Sequence, residues 1–278
     1  MPLIAMTREM GSLGKDVAAG VAQQMNRKVV YHEIIDQLAD KMRLRKSHVE
    51  RFLDGRAGFW ERMTTDQTSL SIFTADETFK ILRNGGAAVI RGWGAAHLLR
   101  DVPHVIRVRV CAPHETKVER MMERLDTDRR DAVVNEIAMS EEAHTAITRR
   151  HFGLDWREAE NYDLVLCTER LSVEECVDEI KCAIRQRRFQ ETAASMRVVE
   201  NLSLQWSVRA ALRCSVRTTS LNVAVECDNG RTVLRGLVDT RDQAVAAGEV
   251  AANVSGVTSL ANELRSTSSA ASRYLREA

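Results

Sequence analysis

The residues with the clearest capacity for chemistry lie in one stretch near the amino terminus, TREMGSLGKDVAAGVAQQM, residues 7–25. Gly11, Gly14 and Lys15 match the second half of the phosphate-binding loop pattern G-x-x-x-x-G-K-[ST]. Glycines let the backbone N–H groups of such a loop approach a phosphate, and the lysine adds a positive charge. The stretch therefore predicts phosphoryl transfer, which needs N–H donors, cations and Mg²⁺ rather than covalent catalysis.

Two positions of this stretch depart from the phosphate-loop pattern. Glu9 stands where the first glycine is expected, and Asp16 stands where a hydroxyl normally ligates Mg²⁺. A carboxylate can ligate Mg²⁺, but it also repels a triphosphate nearby, so Asp16 is both the candidate metal ligand and a candidate obstacle. A simple turn before a helix is the alternative interpretation. The predicted phosphate-binding residues are Arg8, Gly11, Ser12, Gly14, Lys15 and Asp16.

Arginines form the second group of candidate catalytic residues. They lie in and beside a charged segment, residues 127–150, whose composition indicates helix rather than core strand. Guanidinium groups bind phosphate oxygens through paired hydrogen bonds, although arginines on helices are also commonly solvated and paired with neighbouring acids. Asp155 either orients one of these arginines or caps a short helix that begins at Trp156. The predicted catalytic residues are Lys15, Arg120, Arg129 and Arg150.

Alternating strands and helices must position these residues. The runs LIAM, AAVIRG, VIRVRVCA and YDLVLCT predict buried strands at residues 3–6, 87–92, 105–112 and 162–168. Apolar residues at helical spacing follow the first, third and fourth runs, and Ser172 and Glu175 predict a capping box before the last of these helices. This order predicts an α/β fold, in which a parallel sheet with a phosphate loop has helices on both faces and a helical lid.

The pattern changes after residue 185, where a polar, charged stretch precedes a different order of elements. A helix, two strands around Asn229-Gly230, a second helix and a short strand predict a small α+β domain, αββαβ, of antiparallel type. We expect the first domain at residues 1–188, a linker at 189–196, the second domain at 197–266 and a flexible tail at 267–278. Proteolysis near the linker should then leave two folded fragments.

The composition excludes several classes of function. The net charge of the 278 residues is +1, so no global field attracts nucleic acid, and we expect no nucleic-acid partner. No window approaches about 18 apolar residues, and the amino terminus lacks a signal-peptide pattern, so we expect a cytoplasmic protein without a transmembrane segment. The six cysteines have no metal-ligand spacing and are expected to be buried, reduced thiols.

Ordered stretches of the first domain resemble the cytidylate kinase-like family, P-loop relatives of the nucleoside monophosphate kinases. The stretches are IAMTREMGSLGKDVAAGVAQQM, VVYHEIIDQLA, AAVIRGWGAAHLL, HVIRVRVCAPHETKVERMMER and RRHFGLDWREAENYDLVLCTERLSVEECV, within residues 3–187. The resemblance implies ATP as phosphate donor, Mg²⁺ as cofactor and a nucleoside monophosphate as acceptor, with CMP or dCMP as the default.

The resemblance also implies an acceptor site. Many relatives read G-R-G after the second predicted strand, with the arginine placed to hold the acceptor nucleotide. Here the arginine is displaced, because the chain reads Arg91-Gly92-Trp93-Gly94. Arg91 and Trp93 are therefore the candidate acceptor-binding residues, with Trp93 stacking on a base or simply packing. His32 stands where relatives often have an aspartate, and we expect it to be structural.

The second domain resembles a BON domain, a small binding module associated with membranes or small ligands. The αββαβ order, the hairpin DNGRTVLRGLVD and the ending VSGVTSLANEL match. The resemblance implies a lipid headgroup, a small ligand or a protein as partner. The cations predicted to attract such an anion weakly are Arg209, Arg213, Arg217, Arg231, Arg235 and Arg241.

Three hypotheses of function remain open. In the first, the chain is an ATP-dependent kinase of nucleoside monophosphates. In the second, it binds a nucleotide or another phosphorylated ligand without turnover and signals through the BON domain. In the third, the BON domain has a structural or interaction role at a membrane surface. The incomplete loop and the displaced Arg91 favour the second hypothesis, whereas the arginines of the charged segment favour the first.

Overall fold

The structure is a computed structural model that describes residues 2–30, 47, 67–85, 87–92 and 94–267. The chain divides into two compact units. The first unit contains residues 1–66 and 85–195, and the second unit contains residues 67–84 and 196–278. His32, Trp93 and the predicted tail beyond residue 267 lie outside the described residues.

Five strands of the first unit form a parallel sheet. They are β1 (Leu3–Arg8), β2 (Lys28–Val30), β3 (Ala87–Arg91), β4 (Val105–Cys111) and β5 (Leu164–Cys167). The strands lie in the order β2-β3-β1-β4-β5, and every pairing is parallel. The predicted parallel sheet is thus confirmed, and four of these strands are the four apolar runs. The sequence does not predict β2, because three residues are too few to show a periodic pattern.

Helices follow the strands as the fold class requires. The described helices are α1 (Gly14–Gln24), α2 (Gln67–Arg83), α3 (Ala95–Leu98), α4 (His114–Leu125), α5 (Arg130–Phe152), α6 (Val173–Ile184), α7 (Ala193–Cys214) and α8 (Arg241–Ala252). The predicted capping box begins α6, because Glu175 N–H donates to Ser172 Oγ and Ser172 N–H donates to a Glu175 carboxylate oxygen. The charged segment predicted as a lid forms α5.

Helices α1 and α6 pack against each other on one face of the sheet. A Cβ atom on Gly20 of α1 would lie 2.8 Å from Cγ2 of Val177 in α6, so a glycine there lets the two helices approach closely. The strand residues in this core include Ile4, Met6, Val89, Ile106, Val108, Val110 and Leu166. This packing holds the end of β1 and the start of α1 in place, and the loop between them is the predicted phosphate loop.

The second unit contains most of α7, then β6 (Ala224–Asp228), β7 (Arg231–Val238), α8 and β8 (Ser259–Ser266), which is the predicted αββαβ order. The hairpin turn is confirmed, because Asn229 and Gly230 have φ angles of 47° and 84° between antiparallel strands. β7 and β8 pair in parallel instead. The expected antiparallel type therefore holds only for the hairpin, because α8 is a crossover that returns the chain in the same direction.

Of the residues predicted to form a linker, Phe189 ends a short 3-10 helix and residues 193–196 begin α7, whereas residues 190–192 lie in neither helix nor strand. Phe189 packs into the core of the first unit. Ser195 N–H donates to Thr192 Oγ1 at 3.0 Å, and Thr192 N–H donates to Ser195 Oγ at 2.9 Å. These reciprocal bonds satisfy N–H groups at the start of α7. The domain limits at residues 188 and 197 remain predictions.

Two sequence expectations concern membranes and thiols. No helix within the described part of the chain is both long enough and apolar enough to cross a membrane. All six cysteines are unpaired, but only Cys176 is buried. The expectation of buried thiols is therefore right for Cys176 and wrong for the other five, which lie in half-buried or exposed positions.

Candidate phosphate-binding site

The loop between β1 and α1 is a tight turn that contains two residues in the left-handed backbone conformation. Gly11 has a φ of 77°, and Leu13, the residue that precedes α1, also has a left-handed conformation at φ 57°. Left-handed backbone is unfavourable for a residue with a side chain. Ser12 stabilises the turn, because its N–H and its Oγ both donate to the Glu9 carbonyl, at 3.3 and 2.8 Å.

The two loop glycines are required by the protein's own packing. A Cβ atom on Gly11 would lie 2.8 Å from the carbonyl oxygen of Lys117 in α4. A Cβ atom on Gly14 would lie 2.6 Å from Cβ of Arg8 and 3.2 Å from Cβ of Val110. The loop thus packs against backbone of α4 on one side and against β1 and β4 on the other.

The start of α1 presents hydrogen-bond donors. N–H groups of the first helical turn have no acceptor within a helix, and within the described residues none is seen for those of Gly11, Leu13, Gly14 and Lys15. Lys15 and Asp16 are exposed on this turn. Free N–H groups and the positive end of a helix bind anions, so this turn has the chemistry of a phosphate site.

Ser12 and Arg120 meet through Thr168, the residue after β5. Thr168 Oγ1 donates to the Ser12 carbonyl at 2.9 Å. The Arg120 guanidinium donates to Thr168 Oγ1 at 2.9 Å and to the Thr168 carbonyl at 2.7 Å. The structure therefore places Arg120 beside the loop, whereas Ser12 is buried with its hydroxyl already bonded.

Glu9 anchors the loop to the interior of the fold through a cluster of ion pairs. Its carboxylate accepts from Arg109 at 2.5 Å and from Lys117 at 3.0 Å, and Lys117 also pairs with Glu141 of α5 at 2.5 Å. Burial lowers the pKa of Lys117, but its hydrogen bond to Glu141 and the charge of Glu9 outweigh burial, so the pKa is raised overall. The cluster is charged and compensated, and it ties the loop to α4, β4 and α5.

Helix α5 is anchored at the loop by an apolar cluster as well. Met10 of the loop and Val118 and Met121 of α4 pack against Val133 and Ile137 of α5. Because one loop residue belongs to this cluster, a displacement of the first half of α5 would disturb the loop directly.

The structure does not bring Arg129 and Arg150 together. Arg129 precedes α5 and Arg150 lies near its other end, so at 1.5 Å per residue they are roughly 30 Å apart along the helix. Both side chains are exposed. Arg149, rather than Arg150, pairs with Asp155 at 3.3 Å. Asp155 also accepts from the N–H of Arg157 at 2.9 Å, so it orients an arginine. The short helix predicted to begin at Trp156 is wrong, because Trp156 and Arg157 lie in a turn and the next helical turn spans Ala159–Asn161.

Arg157 also pairs with Asp155 through its side chain. Its guanidinium donates to both carboxylate oxygens of Asp155, at 3.1 and 2.8 Å. The hydrogen bonds from the Arg157 side chain and backbone lower the pKa of Asp155 far below its usual range.

Comparisons with known proteins agree with this geometry. Residues 3–170, well over half of the chain, match the model of the cytidylate kinase-like family. The chain belongs to the cytidylate kinase-like family. Residues 203–267 match the BON domain. A comparison with curated proteins finds no match.

Among solved structures, an uncharacterized protein from Eubacterium ventriosum has 21% identity and a TM-score of 0.53, over 67% of this chain and 100% of that one. This likeness supports the fold of the first unit. A shikimate kinase from Acinetobacter baumannii has 12% identity and a TM-score of 0.39, over 68% of this chain and 96% of that one. A shikimate kinase from Bacteroides thetaiotaomicron has the same identity and TM-score, over 66% and 99%.

In this cytidylate kinase-like chain the buried ring of His97, in the helix that follows β3, lies near two other aromatic rings. The ring of His97 lies 5.6 Å from that of Phe152 and 5.8 Å from that of Tyr162. Burial, followed by the charges of Arg107 and Arg100, lowers the pKa of His97 to about 4, so its imidazole is neutral at pH 7. Arg91, at the end of β3, is buried as well.

The sequence does not identify four groups that shape the site: Glu9 as an anchor, Arg109, Lys117 and Thr168. Glu9 is visible in the sequence only as a departure from glycine. Lys117 and Arg109 look like ordinary polar positions of a helix and a strand, and only the fold shows that both point at Glu9. The placement of Thr168 directly after a parallel strand is the one signal that could have indicated it, because ligand sites form at the carboxyl ends of such strands.

Two of the six arginines predicted to give the BON domain an anion-binding patch form ion pairs with acids. Arg217 pairs with Glu249 at 2.8 Å, and Arg235 pairs with Glu226 at 2.6 Å and Glu263 at 2.8 Å. Acids on the neighbouring strands and helix thus neutralise part of the patch, which weakens the argument for an anionic headgroup.

Proposed function

We propose that the first unit transfers a phosphoryl group from ATP to a nucleoside monophosphate, with CMP or dCMP as the acceptor that the family implies. The observation that supports this most is the turn at the start of α1. Its N–H groups have no acceptor among the described residues, Lys15 is exposed beside them, and Thr168 links the turn to Arg120. Anion binding at such a turn needs no side-chain rearrangement.

The proposed roles follow from position. The N–H groups of Gly11, Leu13, Gly14 and Lys15 bind the terminal phosphates of ATP, and the charge of Lys15 stabilises the oxygens as negative charge shifts during transfer. Arg120 lies at the same loop through Thr168, and rotation of its guanidinium would add a second cation. Arg8, at the end of β1, is proposed to bind phosphate through its guanidinium, whereas Ser12, whose hydroxyl donates to the Glu9 carbonyl, supports the loop from within the fold.

Asp16 fits a role as a Mg²⁺ ligand. It is exposed on the first turn of α1, and Mg²⁺ commonly takes only one or two carboxylates, completing its shell with water and phosphate oxygens. Mg²⁺ would neutralise charge on the phosphates there. Asp16 would hold the metal at the helix start, where its own charge is also favoured by the helix dipole.

The acceptor is proposed to lie at the carboxyl end of β3, beside Arg91 and Trp93. The end of α5 belongs to the same region, because a Cβ atom on Gly94 would lie 3.2 Å from the Phe152 ring. Arg150, near this end, is the lid arginine proposed for the acceptor phosphate, and Arg129 is proposed for the donor side. Closure of α5 over both would exclude water, so that transfer is faster than hydrolysis.

The test is a panel of nucleoside monophosphates incubated with ATP and Mg²⁺ and assayed for diphosphate product. Product from CMP or dCMP in excess of ATP hydrolysis supports the proposal. Lys15→Ala should weaken ATP binding in calorimetry by roughly ten- to a hundredfold, the loss expected for one charge-assisted contact. Lys28→Ala, an exposed lysine of β2, is the matched control.

Two other outcomes decide between the remaining hypotheses. ATP binding that depends on Lys15 without product from any acceptor would instead support a nucleotide sensor. No ATP binding at millimolar concentration would mean that the stretch is only a turn. Asp16→Ser separates the two effects of the carboxylate. It tightens ATP binding if Asp16 mainly repels the triphosphate, and it lowers the Mg²⁺-dependent affinity or turnover if Asp16 ligates the metal.

A further inference from the structure

Helix α2 lies in the part of the chain that matches the kinase family, yet it belongs to the second unit. That unit contains the BON match and is called the BON unit below. Residues 67–84 lie inside the family match of 3–170 but belong to the second unit. Among the described residues, α7, the first helix of the BON fold, makes polar contacts with α2. The hydroxyl of Ser207 donates to Asp76 at 2.8 Å, and Arg213 Nε donates to Ser69 Oγ at 2.7 Å.

The contact is centred on a buried carboxylate. The side chain of Asp76 is 1% exposed and also accepts from Lys80 at 2.7 Å. A buried carboxylate needs its partners, because an unpaired charge in the interior is strongly unfavourable. Two polar contacts with α7, one of them at this buried carboxylate, therefore help to hold α2 in place.

A short turn joins α2 to the proposed acceptor region. Asn84 N–H donates to the Lys80 carbonyl at 3.2 Å, and Gly85 ends the helix with φ 68°. One residue later β3 begins, and β3 ends at Arg91. So short a connection cannot absorb a large displacement of α2 without moving the start of β3.

The chain passes between the two units at three places, after residues 66, 84 and 195. Residues 67–84 of the second unit are therefore joined to the first unit at both of their ends. Two of these junctions flank the segment just before β3. The phosphate loop and α1, by contrast, lie wholly inside the first unit.

We propose that the BON unit regulates the acceptor side of the phosphoryl-transfer site through α2, and leaves the ATP side unaffected. Occupancy of the BON unit would act on α7, and the bonds from Ser207 and Arg213 would pass the change to α2 and β3. This inference rests on the proposed function for the identity of the acceptor, although the coupling itself does not require turnover.

The test breaks the α2–α7 contact in the full-length chain. Ser207→Ala and Asp76→Asn keep side-chain size while removing one hydrogen bond or the buried charge. The matched control is Arg217→Gln, which breaks an exposed ion pair in the same unit. We expect the acceptor KM to change by roughly three- to tenfold, as for the loss of one or two hydrogen bonds, while the affinity for ATP and the control variant stay at wild-type values.

Hydrogen exchange supplies a readout that is independent of activity. In Ser207→Ala, whose fold is the less perturbed, amides of residues 84–98 should exchange faster than in wild type, whereas those of α1 and β4 should not. Faster exchange confined to α2 and the BON unit, with none beyond Gly85, would overturn the proposal even in an active enzyme. If no monophosphate is phosphorylated, the proposed function fails while this exchange result still decides the coupling.

Discussion

Glu9 shows how the loop between β1 and α1 keeps its tight turn without the first glycine of the phosphate-loop pattern. In the sequence pattern that glycine allows a tight turn, whereas here the side chain turns inward to Arg109 and Lys117 and the turn is closed by Ser12. The side chain of Glu9 is 7% exposed, so its charge is neutralised inside the fold rather than directed at a phosphate. Glu9 therefore supports the loop without repelling a triphosphate directly.

Removal of the Glu9 charge should destabilise the first unit. Glu9→Gln leaves Arg109 and Lys117 with excess positive charge in a buried position, and we expect a loss of about 3 kcal/mol in the free energy of unfolding. Glu115→Gln is the matched control, since its carboxylate pairs with Arg130 but is 68% exposed, and should cost at most about 1 kcal/mol. Urea unfolding measures both, and equal losses would mean that the cluster has no special role.

His97 should make the protein sensitive to acid. Its folded pKa of about 4 lies below its ordinary value of 6.5, so between these two pH values the unfolded chain binds a proton that the folded chain does not. The contribution of neutral His97 to the free energy of unfolding is therefore complete above pH 6.5 and is lost as the pH is lowered toward 4. His97→Phe, which keeps the aromatic contacts, should reduce this slope by up to about 1.4 kcal/mol per pH unit.

The pH dependence is measured by urea unfolding at a series of pH values. His114→Phe, at an exposed position of α4, is the control and should leave the slope unchanged. Because burial also lowers the pKa of His144 and His104, a residual slope is expected in His97→Phe. An unchanged slope in that variant would contradict the assignment to His97.

Single-residue chemistry was only partly accessible from the sequence. Residue types and spacing predict Lys15 and the loop glycines, because a turn and the helix after it are local. The reason for each glycine is not local, since Gly11 must avoid Lys117 and Gly14 must avoid Val110, residues about a hundred positions away. The partners of Glu9 are equally distant in the chain, and nothing in its neighbours indicates them.

The contact between the loop and α4 can be tested with two glycines of similar backbone. Gly11 and Gly85 both have left-handed φ, but a Cβ atom on Gly85 would have nothing within 4 Å. Gly85→Ala should therefore cost only the conformational term, about 1 kcal/mol. Gly11→Ala adds the collision with Lys117 and should cost a further 1–3 kcal/mol, roughly the effect of overpacking. Thermal unfolding decides, and equal costs would refute the close approach.

At the level of elements, the sequence predicted the features that depend on adjacent residues but not the direction in which distant strands pair. The capping box of α6 and the Asn229-Gly230 hairpin are correct because each depends on a few adjacent residues. The sequence did not predict that β8 is parallel to β7, because strand direction depends on where the crossover helix α8 lies. The length of α5 was foreseen, but its consequence was not, namely that Arg129 and Arg150 lie at opposite ends.

At the level of the whole molecule, the second unit is discontinuous in sequence. The change of pattern near residue 190 suggested two fragments that separate after one cut. The compact units divide differently, because α2 lies in the amino-terminal half of the chain and packs on α7. No sequence pattern shows this, since Asp76 and Ser207 are ordinary helical residues 131 positions apart.

One cut near residue 190 should therefore not separate the two fragments. Residues 190–194 are exposed, so limited proteolysis should cleave there, leaving α2 on the amino-terminal fragment and its partner α7 on the other. Asp76, buried on α2, keeps its hydrogen bond from Ser207 of α7. We therefore expect the fragments to elute together in gel filtration. Asp76→Asn combined with Ser207→Ala should weaken that association, whereas Arg217→Gln should not. Wild-type fragments that elute separately, each folded by circular dichroism, would show that α2 is dispensable for the BON unit.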